Sequence, residues 1–185
     1  MKKIVLATML ASGLMADSGL YIGLDYGKAS NTHTFSLASY AAHADNDYSN
    51  LKLKIGGGTD GEWKFQGTLD KIDYKIGVFD TENNSLYEIG FDIIKEFEVT
   101  KELYPFIKIG FGAGQMSTTF TTEGRMNEVY FSGGAGLSYK ATSNVYILAG
   151  ADYIARRWND VAIGAYTLET NDKAIKPYIG VNYKF

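Results

Sequence analysis

The stretch Ile175-Lys176-Pro177-Tyr178-Ile179-Gly180-Val181-Asn182-Tyr183-Lys184-Phe185 alternates, interrupted only at Pro177-Tyr178. Ile175, Ile179, Val181, Tyr183 and Phe185 fall on one parity, and Lys176, Gly180 and Lys184 on the other. Successive side chains of a strand point to opposite faces, so this period of two reads as a strand between two different environments. Seven further segments repeat the pattern. With the last one, they lie at 19–28, 50–57, 62–70, 86–94, 104–116, 128–140, 145–156 and 173–185. No helical stripe of any length competes with them. The expected fold class is all-β, an eight-stranded antiparallel up-and-down transmembrane β-barrel.

The connections support that arrangement. Gly58-Thr59-Asp60-Gly61 and Ala141-Thr142-Ser143-Asn144 are tight turns, and 95–103 is the third short connection. Residues 29–49, 71–85, 117–127 and 157–172 are longer and polar. Short turns at one end and long loops at the other are the pattern of an outer-membrane barrel. The third segment holds a parity conflict. Trp63, Phe65 and Leu69 are odd-numbered, whereas Ile72, Tyr74, Ile76 and Val78 are even. A bulge near Asp70 or an early loop would each account for it.

Sorted by face, one side of all eight segments is apolar, with charge only at segment ends, at Lys28 and Lys173. It holds residues such as Leu24, Leu53, Leu69, Phe91, Ile109, Leu137 and Ile147. The other holds Asp25, Lys52, Lys54, Lys64, Asp70, Glu88, Asp92, Lys108, Asp152, Arg156, Lys176 and Lys184, with many glycines. A soluble lipid carrier would turn the apolar face inward, but three features point outward. Glycine has no packing use on a solvated face, whereas in a narrow lumen it makes room for long charged neighbours. Aromatic residues of the apolar face gather toward strand ends: Trp63, Tyr139, Tyr183 and Phe185 near the turns, Tyr26, Tyr87, Phe131 and Tyr153 near the loops. These match the two interfacial girdles of a membrane barrel. A soluble carrier usually packs a helix on its barrel, and here period two runs on to Phe185.

The N-terminus points to export. Lys2 and Lys3 precede an uncharged stretch from Ile4 to Ala16. That is shorter than the ~20 residues a spanning helix needs and fits a signal peptide. The expected organisation is a signal peptide at 1–16, cleaved after Ala16 or alternatively after Ser18, followed by a barrel at 17–185. Loss of Lys2 and Lys3 would take the net charge from −3 to −5. No basic footprint exists, which excludes nucleic acid as a partner. With no Cys, a disulfide framework and a thiolate metal site are excluded.

The terminal Phe185, with Tyr183, Val181 and Ile179 at alternate positions before it, resembles the C-terminal signature of bacterial outer-membrane barrels. Gly133-Gly134-Ala135-Gly136-Leu137-Ser138-Tyr139 and Tyr104-Pro105-Phe106-Ile107-Lys108-Ile109-Gly110-Phe111-Gly112 resemble strands of the OmpA/OmpX-type eight-stranded family. The resemblance implies an integral outer-membrane protein, a monomer, whose partners are outer-membrane lipids, lipopolysaccharide and, during biogenesis, the barrel-assembly machinery.

No catalytic, cofactor or metal residue is expected. The two histidines, His33 and His43, fall in the first long loop and read as solvated. A lipid A-modifying enzyme would need His33 paired with Ser36 or Ser39, and no strand-borne pairing of that kind exists. The candidate network is instead the charged lumen of Asp25, Lys54, Glu88, Asp92, Lys108, Asp152 and Arg156. Asp152 and Arg156 lie about 13 Å apart on one face, so each must find partners elsewhere among Lys54, Lys108, Glu88 and Asp92. The resulting expectation is a non-enzymatic barrel with a salt-bridged, largely closed lumen, serving envelope integrity or adhesion through its loops. A narrow porin-like channel is the alternative, and a lipid-modifying enzyme the third.

The C-terminal pattern is directly testable. Deleting Phe185, or replacing Tyr183 with Asp, should lower the amount of folded, heat-modifiable protein in outer-membrane fractions more than an equivalent change in a long loop does. Equal levels for all variants would make the ending incidental.

Overall fold

Each alternating segment becomes a strand whose apolar parity faces out. The computed structural model describes residues 19–185, and the proposed signal peptide and its cleavage site lie outside them. Among the described residues ten strands form in chain order: β1 (Leu20–Leu37), β2 (Tyr40–Asp45), β3 (Tyr48–Gly58), β4 (Trp63–Tyr74), β5 (Ser85–Glu96), β6 (Leu103–Ser117), β7 (Arg125–Lys140), β8 (Val145–Trp158), β9 (Val161–Ile163) and β10 (Tyr166–Lys184). Eight of them pair antiparallel with their neighbours in the order β1-β3-β4-β5-β6-β7-β8-β10. Pairing of β10 back onto β1, from Tyr21↔Lys184 to Leu37↔Leu168, closes the barrel. The fold is an all-β, closed, eight-stranded antiparallel barrel.

Closure puts the charges inside. Ile109 and Phe131 are 62% and 70% exposed, while Lys54 and Asp92 are 2% and 1% exposed. Glycine supplies the space: Gly110 abuts Asp92, Gly134 abuts Asp152 and Gly180 abuts Asp25, each where a Cβ would collide with the carboxylate. The aromatic residues of both girdles, among them Trp63, Tyr139, Tyr87 and Phe131, are exposed on the outer wall.

The parity conflict in the third segment has neither of its expected causes. β4 pairs with β3 continuously from Gly58↔Lys64 to Tyr48↔Tyr74, with no bulge at Asp70 and no early loop. Even-numbered residues face inward throughout, so Ile72 and Tyr74 are buried while Lys71 and Asp73 face out. What changes is the surroundings. Toward the loop end the outer wall turns polar, as at Thr32, Thr34, Gln115, Asn127 and Arg157. The interior there becomes an apolar cluster of Ile72, Tyr74, Leu86, Met116, Met126, Ile154 and Trp158. The barrel is inside-out along its uncharged belt, and above it apolar side chains join the buried polar groups of the interior.

The same reversal explains the strand lengths. β1 runs to Leu37 instead of 28, and β10 begins at Tyr166 instead of 173. Most of the expected loops 29–49 and 157–172 is therefore strand. β2 adds to the upper part of β1, and β9 to that of β10. Together they raise a four-stranded sheet, β2-β1-β10-β9, above one side of the mouth.

A lysine scan of outward positions should reveal the boundary. Ile109→Lys or Leu137→Lys, within the uncharged belt, should cost ~2–4 kcal/mol near the bilayer midplane. Thr32→Lys and Gln115→Lys, equally outward but above it, should change folding stability in lipid by less than about 0.5 kcal/mol. Urea titrations of the refolded barrel in vesicles measure both, and equal costs at the two levels would rule the boundary out.

Candidate functional site

The interior is built in layers along the axis. At the turn end, Asp60 in the β3–β4 turn accepts hydrogen bonds from Lys184 Nζ at 2.9 Å, Lys64 Nζ at 3.2 Å and the Tyr146 hydroxyl at 2.5 Å. Partial burial pushes its carboxyl up, but the Tyr146 and Lys184 hydrogen bonds and the Lys64 charge outweigh that. Asp60 is held below the usual carboxylate range. Lys64 also reaches Glu96 at 2.8 Å.

The middle layer carries most of the expected network. Lys54 donates to Asp25 at 2.5 Å, and Lys108 lies 3.0 Å from Asp152 and over the Tyr178 ring. Lys176 bridges Asp152 and Asp70 at 3.8 and 3.7 Å, and Lys52 lies 3.7 Å from Asp70. Asn50 donates to both oxygens of Asp70. Asp92 has no ion-pair partner within 4.0 Å among the described residues. Gln66 donates to it at 2.7 Å and accepts from Tyr21 at 2.9 Å.

In the upper layer Arg156 donates from Nε to Glu88 at 2.6 Å and from Nη1 to Asp172 at 3.4 Å. Tyr74 and Trp158 also donate to Asp172. Of the four partners considered for Asp152 and Arg156, the fold selects Lys108 for the first and Glu88 for the second. Lys54 goes to Asp25 instead, and Asp92 pairs with neither.

Residues outside the expected set complete the site. Asp172 lay in a segment read as loop. Glu96 falls just past a predicted strand end, although it continues the even parity of Glu88 and Asp92. Glu128 opened its segment on the inward parity and was overlooked. It is 2% exposed, its carboxylate lies beside Glu88 and Gly114, and neither oxygen has a hydrogen-bond partner. The inward charged face, expected to hold five acids and seven bases, becomes eight buried acids against six buried bases.

His33 is not a solvated loop residue. It is 1% exposed on β1, with Nε2 3.0 Å from Asn31 Nδ2 and Nδ1 3.4 Å from Asp172. Its ring neighbours are Phe35 and Tyr74, and its polar contacts are Asn31 and Asp172 rather than Ser36 or Ser39. His43 is exposed and meets Thr34. Among the described residues no group of three His, Cys, Asp or Glu is placed to hold a metal ion.

The loop end is covered. The connection 75–84 folds over the loop end and lays Phe79 edge-on against Trp158 at 5.0 Å and beside Phe120 at 6.2 Å. Asp80 fastens it: its carboxylate accepts from Thr119 N and Thr118 Oγ1 at 2.8 Å and from Asn83 N at 2.7 Å. Those hydrogen bonds hold Asp80 below the usual carboxylate range. Gly77 is required, because a Cβ there would strike the Asp80 carbonyl. Asn46 ties the same connection to β2 and β3 through the backbone of Ile76. Below, the cavity between Asp25, Lys54, Lys64, Gln66 and Tyr178 has a volume of about 20 Å³. That is room for about one water.

The C-terminal residues Ile179, Val181, Tyr183 and Phe185 all face outward. Phe185 N donates to Leu20 O at 2.9 Å, and its ring packs edge-on against Tyr183.

No protein-family description matches the chain, and no curated protein does. Solved structures do match in fold. Neisserial surface protein A superposes with a TM-score of 0.59 at 19% identity, over 90% of this chain and 97% of that one. The outer membrane protein AlkL, solved in lipid bilayers, gives 0.55 at 12% identity, over 92% of each chain. The outer membrane protein OprG from Pseudomonas aeruginosa gives 0.52 at 13%, over 91% and 96%. The fold is thus that of small integral outer-membrane β-barrels, and the uncharged outer belt is its lipid-facing surface.

Arg156 is the only base within 4.0 Å of Glu88 or, apart from His33, of Asp172 among the described residues. Arg156→Ala should destabilise the barrel by ~3–5 kcal/mol, less where water enters. Glu128→Gln removes an unpartnered carboxylate and should leave stability unchanged or raised. Urea unfolding in vesicles reads both, and an indifferent Arg156→Ala would mean the upper layer is solvated.

Proposed function

We propose that this protein is a non-enzymatic outer-membrane barrel with a closed lumen, acting at the cell surface through its loop end in envelope integrity and adhesion. The observation that carries this reading is the filled interior. Paired charges occupy the lumen from Asp60 to Asp172, the connection bearing Phe79 covers the mouth, and the cavity between them holds about 20 Å³. An eight-stranded barrel is narrow enough for side chains to fill it. Conduction would require breaking buried pairs such as Lys108–Asp152, which costs several kcal/mol per uncompensated charge.

The outer wall supports a monomer held in lipid. Its belt is continuous around a barrel without a free edge, and polar residues take over above it, where headgroups and lipopolysaccharide would meet Lys28, Lys173 and Arg157. The non-enzymatic reading is supported by the burial of His33, whose polar contacts among the described residues are Asn31 and Asp172. The last strand, with Ile179, Val181, Tyr183 and Phe185 outward, suits recognition by the barrel-assembly machinery.

Planar-bilayer recordings separate closed lumen from channel. The refolded wild type should show no steady ohmic current, and Asp70→Ala with Lys176→Ala, which removes the bridging centre of the middle layer, should produce one. Steady current from the wild type would put a narrow channel in first place.

A further inference from the structure

The sheet β2-β1-β10-β9 above the mouth has one apolar face. The register sets Leu37 opposite Tyr40, Phe35 opposite Ala42 and Leu37 opposite Leu168, all on the parity that faces the lumen lower down. Tyr166 pairs with Ile163 on the same face. The other face holds Thr34, Ser36, His43, Thr167 and Glu169, so the two sides differ as a protein interior differs from a surface. Yet the apolar side is open: Tyr40 is 81% and Tyr166 58% exposed, and Ile76 in the adjoining connection is 65% exposed. Contiguous apolar exposure of this kind marks an interaction site.

The backbone at the border of that face indicates what would cover it. Barrel closure removes the edges of the eight long strands, and β9 keeps its own edge to three residues. β2 pairs only with β1, leaving one side of Tyr40–Asp45 unpaired over six residues. Natural sheets blunt such an edge with Lys, Pro, a bulge or shortness. Tyr40-Ala41-Ala42-His43-Ala44-Asp45 has no Lys and no Pro. Ala42 and Ala44 form a low shelf beside the larger Phe35, with space for the side chains of a neighbouring strand. An unguarded edge continuous with a period-two apolar face is complementary to one shape, an extended chain with apolar residues at alternate positions.

We propose that β2 receives an extended segment of a partner polypeptide by strand addition, with the partner's alternate apolar side chains covering Tyr40, Ala42 and Ala44. Main-chain hydrogen bonds would supply affinity and the shelf selectivity, as in other edge-strand recognition. The inference rests on the surface role proposed above only in placing the partner outside the cell. It does not need a closed lumen, so bilayer currents and the experiment that follows can fail independently.

The test uses the barrel in lipid nanodiscs and a fluorescent peptide of about ten residues that alternates valine and threonine, a typical strand length or longer. Saturable binding is expected, with slowed hydrogen exchange confined to amides of Tyr40–Asp45. Ala42→Lys, a charge on the apolar face, should weaken binding by about tenfold or more, the scale of a lost interface anchor. Ala41→Lys, on the same strand but the polar face, should weaken it much less. No exchange protection at millimolar peptide would overturn the proposal. So would equal binding of a peptide carrying proline at alternate positions, since that leaves only apolar contact. A dimer of the protein in sedimentation that Ala42→Lys abolishes would assign the face to a second copy and also overturn it.

Discussion

The wall of this barrel separates two surroundings that reverse partway along its axis, and most other features of the molecule follow from that reversal. Along the belt the outside is hydrocarbon, where a charge costs a few kcal/mol and an unpaired backbone group is not tolerated. The outer parity is therefore Leu, Ile, Val and aromatic, and closure of β10 on β1 leaves no edge in lipid. Polar groups needed to keep the interior from being a second apolar core must then pair with one another. Above the belt the outside is water, and the ordinary rule returns: Lys71 and Asp73 outside, Ile72 and Tyr74 inside.

The sequence reveals whatever depends on alternation within one environment. All eight barrel strands, their faces, the three short connections and the inward charges within the belt are legible from parity because lipid forbids exceptions there, whereas Glu96, Glu128 and Asp172 near the ends are not. What parity cannot show is the point at which its meaning flips. Ile72 and Tyr74 look like a register slip when apolar is taken to mean outward, and Asn31, His33, Thr170 and Asp172 look like loop because neither face is consistently apolar. The long β1 and β10, the upper sheet and the burial of His33 were all hidden for this one reason. Partners across the lumen were hidden for another. Arg156 and Glu88 are 68 residues apart in sequence, and only the closed ring decides that they face each other rather than Arg156 facing Asp92.

The interior network is not uniformly satisfied, and its imbalance is informative. The middle layer joins opposite charges through Lys176 and Lys52, with Asn50 and Gln66 donating to carboxylates, Asp70 and Asp92, that no base approaches to hydrogen-bond distance among the described residues. Neutral donors of this kind reduce the number of buried charges without leaving acceptors bare. In the upper layer the arrangement is poorer: Glu88, Glu128 and Asp172 share one arginine and His33, and Glu128 has no partner among the described groups. Low dielectric magnifies that deficit. It lies directly beneath the covering connection, so the least satisfied polar cluster and the covered mouth are one region of the molecule.

That placement bears on why the mouth is held as it is. Phe79 alone gives an apolar contact with Trp158 and Phe120, which would tolerate sliding. Asp80 turns the contact into a fixed position, because its carboxylate gathers donors from two connections, Asn83 on its own and Thr118 and Thr119 on the other. Asn46 adds a third attachment at Ile76, and the same residue marks the break between β2 and β3. The cover and the upper sheet are therefore coupled through Asn46, beside the Lys75–Asp47 pair. A partner strand on β2 would stiffen the strand that Asn46 anchors, and through it the connection that lays Phe79 on Trp158. Strand addition on β2 would thus act on the cover through Asn46 without requiring a closed lumen, and no atom of the partner would enter the barrel.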